Sequence, residues 1–181
     1  MKPSYGKLLI SFVAVVTAVV PYLADWNDTH IYNETWSPHA KYHVGHTMVI
    51  GTVLGLLSLH CLWRRTGDPA DNLRFGALVA AVYWVAQAGA VLVPGTAMTD
   101  PEFVDRIPTV AGIQPNQIFV DLILLALIAI GYRWQRNAGS VRTRRTELVG
   151  LRRRRRVVAR AVEIPEPGRC QRWQVRVERP Q

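Results

Sequence analysis

Four long apolar blocks, separated by polar segments, set the reading of this chain. The first runs from about Leu8 to Ala24, the second from about Val44 to Trp63, the third from about Phe75 to Pro94 and the fourth from about Gln117 to Trp134. Each covers about 17–20 residues, the helical length that crosses a hydrocarbon core of about 30 Å. No block is broken by Lys or Arg in its interior; Gln87 lies in the third and Asp121 in the fourth. The expected fold is therefore all-α: an integral membrane four-helix bundle over residues 1–134, followed by a basic, partly disordered tail over residues 135–181.

Charge distribution sharpens this picture. The formal net charge of +9 resides in the tail, where residues 135–181 hold 14 Arg against 4 Glu. A solvated tail, or a basic helix lying on anionic lipid, accounts for it. Nucleic-acid binding is excluded as the reading, because the tail lacks interleaved aromatics and a recognition fold. Lys2 and Lys7 precede the first span, and Arg64, Arg65 and Arg74 bracket the loop between the second and third. The other two loops hold Lys41 and Arg106 among six acidic residues. By the positive-inside bias both termini are cytoplasmic. Trp26 and Trp36 then sit near the outer interface and Trp63 and Trp134 near the inner one. A cleaved signal peptide is the competing reading of the first block, but Tyr22, two residues before Ala24, is not the small residue that cleavage requires. Pro21 is expected to end the first helix. Cys61 and Cys170 lie on or beyond the inner face, so neither a structural disulfide nor a thiolate zinc site is expected.

Residues 25–47 carry four of the five histidines, His30, His39, His43 and His46, while His60 falls at the inner end of its span. Ser37-Pro38 reads as a helix start, with serine as N-cap and proline at the first helical position. On that helix His39, His43 and His46 fall within about 60° of one face, continued by Ile50, Val53 and Leu57. Histidines at the top of this stripe point to the bundle interior, where Gln87 and Asp121 reach similar depth. An acid inside a span costs about 2.5–3.5 kcal/mol at the centre and less near an interface, so it needs a partner. These positions define an outward-facing polar chamber lined by His39, His43, His46, Gln87 and Asp121, with Asp25, Asn27, Asp28, His30 and Asn33 as its cap. Structural, acid/base and metal roles for the histidines stay open. His39 and His43 are one turn apart and could share an ion, but His46 stands about 10 Å of rise from His39, and no metal ligand set is assigned. Asn27-Asp28-Thr29 and Asn33-Glu34-Thr35 match the glycosylation sequon, a weak signal.

The run ADWNDTHIYNETWSPHAKYH, with YWVAQ and PGTAMTDPEF further on, resembles a family of small uncharacterised four-span membrane proteins of bacteria and fungi. The shared pattern is DWN–THxxN–W–PHA–H, matched here by Asp25, Trp26, Asn27, Thr29, His30, Asn33, Trp36, Pro38, His39, Ala40 and His43. The resemblance covers roughly residues 5–134. His46 departs from it, since a polar amide is common near that position. Some members carry an acetyltransferase label, yet no acyl-CoA loop or nucleophile here supports one. The resemblance implies no established activity.

Two functions follow as expectations. In the first, the protein binds or acts on a lipid or lipophilic small molecule, with His39 and His43 as proton donors or acceptors and Asp121 as the orienting carboxylate. Asp25, Asn27, His30, Asn33, His46 and Gln87 would contact the substrate. In the second it is an accessory protein whose outer loop binds a partner without catalysis. Transport would require a homo-oligomer, because four spans show no inverted repeat. Expected partners are membrane lipid, with a small lipophilic ligand and self-association as candidates; the sequence names no cofactor.

Overall fold

The computed structural model describes residues 5–106 and 116–161, with side chains to Gly139. Every regular element among them is helical. Helix α1 spans Tyr5–Asp25, α2 Pro38–Trp63, α3 Pro69–Gly89 and α4 Gln117–Ala161, with short 3-10 turns at Ala90–Leu92 and Pro101–Arg106. The chain divides after Gly139 into a four-helix unit and a second unit that begins at Ser140. Residues 140–161, expected as a solvated tail or surface helix, are helical; residues 162–181, including Cys170, lie outside the described set.

Local chemistry fixes the helix starts. Ser37 caps α2 by accepting from Ala40 N at 3.2 Å, with Pro38 in the first turn. Asp68 caps α3 through Ala70 N at 2.6 Å, again with proline next. Both arrangements satisfy an amide that the helix leaves unpaired. The polar first turn of α3 moves the helix start to Pro69 rather than Phe75. Its end falls at Gly89 rather than Pro94, because the chain tightens to 3-10 geometry and then turns at Gly95, where φ is 84°.

Pro21 does not end α1, which continues to Asp25. Proline removes the amide that would pair with the carbonyl four residues back, here that of Thr17. That carbonyl faces Gly51 of α2, where an added Cβ would lie 2.7 Å from it. The freed acceptor thus lies against a neighbouring backbone, a setting suited to a Cα–H···O contact.

Consecutive helices run antiparallel, and α1 touches all the others. Gly51 and Gly55 of α2 seat on Thr17, Ala14 and Ala18; Gly6 and Gly131 bring α1 and α4 together backbone to backbone. Gly76 of α3 receives Leu62, and the buried Ser58 hydroxyl donates to Gly76 O at 2.9 Å. Small residues at crossings and hydroxyl bonds between helices are the way spans associate where apolar burial offers no net driving force. The core is Ile10, Val13, Leu62, Leu73, Ala77, Ala80, Tyr83, Trp84, Leu124 and Ile128.

Outside, the surface is apolar. Phe12, Val53, Leu78, Val85, Phe119 and Leu122 are among many large hydrophobic residues left exposed. Only 22–28% of each span's apolar window is buried, far too little for a water-soluble bundle. All four helices are long and apolar enough to cross a membrane, and the protein is membrane-integrated. At the short-loop end, Lys7 donates to Leu62 O at 2.9 Å, and Trp63 donates to Ser11 Oγ at 2.8 Å. Tyr5 stacks on Trp134 nearby. Cys61 is a free thiol.

A Cβ at Gly55 would collide with the Ala14 carbonyl and lie 2.9 Å from the Ala18 Cβ, whereas Gly45 has nothing within 4 Å. Gly55→Leu should destabilise the protein by about 1–3 kcal/mol or more, and Gly45→Ala should not. Thermal unfolding of the detergent-solubilised proteins checks this contrast.

Candidate functional site

The long-loop end of the bundle is held by a cap built on a repeated local device. Asn27 Oδ1 accepts from Thr29 N at 2.8 Å and from Thr29 Oγ1 at 2.6 Å. Asn33 Oδ1 accepts from Thr35 N at 2.9 Å and from Thr35 Oγ1 at 2.8 Å. Both Asn-x-Thr triplets are therefore Asx turns, in which the side chain substitutes for a backbone acceptor. The Asn33 amide also reaches Thr29 O and Glu102 Oε1, and the residue is buried. That accounts for these triplets in folding terms. An oligosaccharide on Asn33 is incompatible with the folded loop.

His30 is half-buried, edge-on to Trp36. Its Nδ1 lies 2.7 Å from Thr29 Oγ1, and its Nε2 lies 3.8 Å from Asp25 Oδ1. Thr29 Oγ1 gives its one proton to Asn27 Oδ1, so His30 Nδ1 is the donor to Thr29, and Nε2 and the Asp25 carboxyl face each other with room for one proton between them. Trp26 Nε1 donates to Tyr32 OH at 2.7 Å. Across the cap, Arg106 donates to Asp28 Oδ2 at 2.8 Å and ties the two long connections together. That hydrogen bond, with the guanidinium charge, holds the Asp28 carboxyl below its ordinary value of 3.8.

Below the cap lies a set of polar groups buried inside the bundle. Trp84 is 2% exposed, and a buried indole N–H needs an acceptor. Thr17 Oγ1 supplies it at 2.9 Å while donating its own proton to Val13 O. Tyr83, on the neighbouring position of α3, lies within electrostatic reach of both Asp25 and Asp121. Asp121 is fully buried; its Oδ1 accepts from Gln117 at 2.9 Å. Its Oδ2 and the Gln87 Oε1 are buried without a hydrogen-bond partner.

The expected chamber is thus divided. Asp25, Asn27, His30 and Asn33 form the cap; Asp121 lies buried in the bundle, and Gln87 is half-buried with its Oε1 covered. His39, His43 and His46 do not join them: all three are exposed, as are Ile50, Val53 and Leu57 on the same stripe. The inward stripe of α2 is instead Met48, Gly51, Gly55, Ser58 and Leu62. Glycine wins the inner face because only a residue without a side chain permits the approach to α1. His39 and His43 pair with each other, Nε2 to Nε2 at 3.1 Å. Among the described residues no group of three or more His, Cys, Asp or Glu converges.

Residues 9–145 match a family of unknown function, DUF6640. The chain belongs to the DUF6640 family. The match extends from the second turn of α1 past Gly139, so it covers all four spans and the whole cap. The chain matches no curated protein and no solved structure. Within this DUF6640 chain, sequence reasoning missed Thr17, Tyr83, Trp84 and Gln117. Trp84 carried a signal, a tryptophan in mid-span and far from either interface, where its N–H must find a partner.

Thr17→Val keeps the shape and removes the acceptor of Trp84. The orphaned indole N–H should cost about 1–3 kcal/mol, read as a lowered melting temperature, with Thr17→Ser restoring most of it. The Asp28–Arg106 clamp has a depressed folded carboxylate pKa, so its contribution is present above pH 3.8 and is lost as pH falls through the lowered value. Proteolytic nicking of the cap should rise in that acid window in the wild type. Asp28→Asn should flatten the response.

Proposed function

We propose that this DUF6640 protein binds a lipid or lipophilic small molecule at the long-loop end of the bundle, through a head group that donates hydrogen bonds. The observation that carries the reading is the pair of unpartnered buried acceptors, Asp121 Oδ2 and Gln87 Oε1. An unsatisfied buried polar group costs about 1–3 kcal/mol, more if charged, and the surrounding hydrocarbon offers no water to relieve it. A hydroxyl, amine or ammonium would satisfy either acceptor, and a protonated amine would also offset the charge of Asp121. The His30–Asp25 pair supplies a proton-transfer group at the same end of the bundle. On this reading acid/base work falls to His30, with Asp121 as the anchoring carboxylate, rather than to His39 and His43. The Lys/Arg bias supports an orientation with the N-terminus and the helix after α4 in the cytoplasm, which turns the cap outward.

A second reading, an accessory protein recognised through its cap, is favoured by a different feature. The clamped connections leave an open cleft of about 320 Å³ lined by Thr35, Trp36, Asp100, Pro101 and Glu102. Its mixture of an aromatic wall and two acids suits a basic peptide segment. The two readings separate experimentally.

Native mass spectrometry of the purified protein tests the first. Wild type should carry a small amphiphile, and Asp121→Leu/Gln87→Leu should lose it. Replacing unpaired buried polar groups by apolar ones of similar size is neutral or stabilising when no ligand depends on them. Asp121 Oδ1 also accepts from Gln117, so the comparison is made in a Gln117→Leu background, where the delipidated Asp121→Leu/Gln87→Leu protein should melt no lower than delipidated Gln117→Leu. If the double mutant retains the amphiphile, the binding reading is wrong. If no amphiphile is found and Glu102→Ala abolishes recovery of a protein partner, the accessory reading stands.

A further inference from the structure

We propose that His39 and His43 form a chelating site for a borderline divalent transition metal such as Zn²⁺, Ni²⁺ or Cu²⁺, independent of the buried acceptors. The two residues lie one turn apart at the start of α2, with both rings exposed and their Nε2 atoms 3.1 Å apart. Two imidazole nitrogens bound to one ion at about 2.0–2.1 Å with a tetrahedral angle are separated by roughly 3.3 Å. The rings thus stand within a few tenths of an ångström of the bite a metal needs, and no backbone movement is required.

The rings are held in this relation. Tyr42 stacks on His39 with an interplanar angle of 11° and meets His43 edge-on. The two imidazoles are themselves edge-to-face, with centroids 4.6 Å apart. In the metal-free pair one Nε2 must donate to the other. Metal binding moves that hydrogen to Nδ1 of the same ring, so neutral rings bind without losing a proton overall.

Chemistry also sets the selectivity. The site lies at the positive end of the α2 dipole and near Lys41, and among the described residues no carboxylate completes it. Hard cations that rely on charge and oxygen ligands, Mg²⁺ and Ca²⁺, have nothing to gain there. Metals bound through imidazole donors do. Only two protein ligands are supplied, so the remaining positions stay open to water, a lipid phosphate or another molecule. An open-position ion at the membrane interface is Lewis-acidic and can polarise a phosphoryl or carbonyl oxygen.

The experiment uses the full chain in detergent, stripped of metal with a chelator, and titrated with Cu²⁺ and Zn²⁺. Wild type should bind one equivalent of Cu²⁺ with nitrogen hyperfine coupling from two imidazoles in its electron paramagnetic resonance spectrum. His39→Ala and His43→Ala should each weaken Cu²⁺ and Zn²⁺ binding by about tenfold or more, at least what disturbing a ligand's outer-shell partner costs. His46→Ala and His60→Ala should bind as wild type, and Mg²⁺ should give no heat. Coupling from fewer than two imidazoles in wild type overturns the proposal, as does undiminished binding in the His39→Ala/His43→Ala double variant. The spectrum of the unmutated protein decides the case even if a variant folds poorly.

Discussion

The structure depends on the close approach of helix backbones to α1. Gly51 and Gly55 seat α2 against Thr17 and Ala14, and the Gly6–Gly131 contact seats α4 on the opposite end of the same helix. α1 is thereby brought near enough to α3 for the Thr17 hydroxyl to reach the Trp84 indole. In water such crossings would be backed by apolar burial. Here most large apolar side chains face outward, so backbone fit and a few buried hydrogen bonds must hold the spans together. The same constraint decides which face of α2 turns inward, and hence where the histidines go.

Tight seams leave little room for a polar group without a partner. Thr17, Ser58 and Trp84 are each satisfied inside the bundle, which makes the two exceptions informative. Gln87 Oε1 and Asp121 Oδ2 stand unpaired, and Asp121 sits below a cap that is held by bonds of Asn27, Asn33, Asp28 and Arg106. A fold that pairs Asn27, Asn33, Asp28 and Arg106 in its cap, and leaves two acceptors open beneath it, is organised as a binding site would be. The reading of the protein as a receptor or enzyme for a donor-bearing amphiphile rests on that contrast.

The number of spans, their class and the start of α2 at Ser37-Pro38 were legible from apolar block length and capping chemistry. The inward face of α2 was not, although Gly51-Thr52-Val53-Leu54-Gly55 spells the small-xxx-small pattern of packed spans. A stripe of histidines drew the inference inward on polarity, while steric access had already assigned that face to glycine. Pro21 looked like a helix end because the tertiary setting of the Thr17 carbonyl is invisible in one sequence. Asn27 and Asn33 were read as sequons or substrate contacts; spacing alone does not separate a sequon from the Asx turns found here, since both are built on the same Asn-x-Thr triplet. Asp121 and Gln87 were identified from the cost of polarity in a span, a reason that holds whatever the neighbours are.

The most direct test is an experimental density map of the protein purified with its native lipid, inspected at Asp121 and Gln87. The account predicts a non-protein group within hydrogen-bond distance of Asp121 Oδ2 or Gln87 Oε1, continuous with an apolar chain leading toward the bilayer. A direct contact between the two side chains, with a protonated Asp121 donating to Gln87 and no further density, would contradict it.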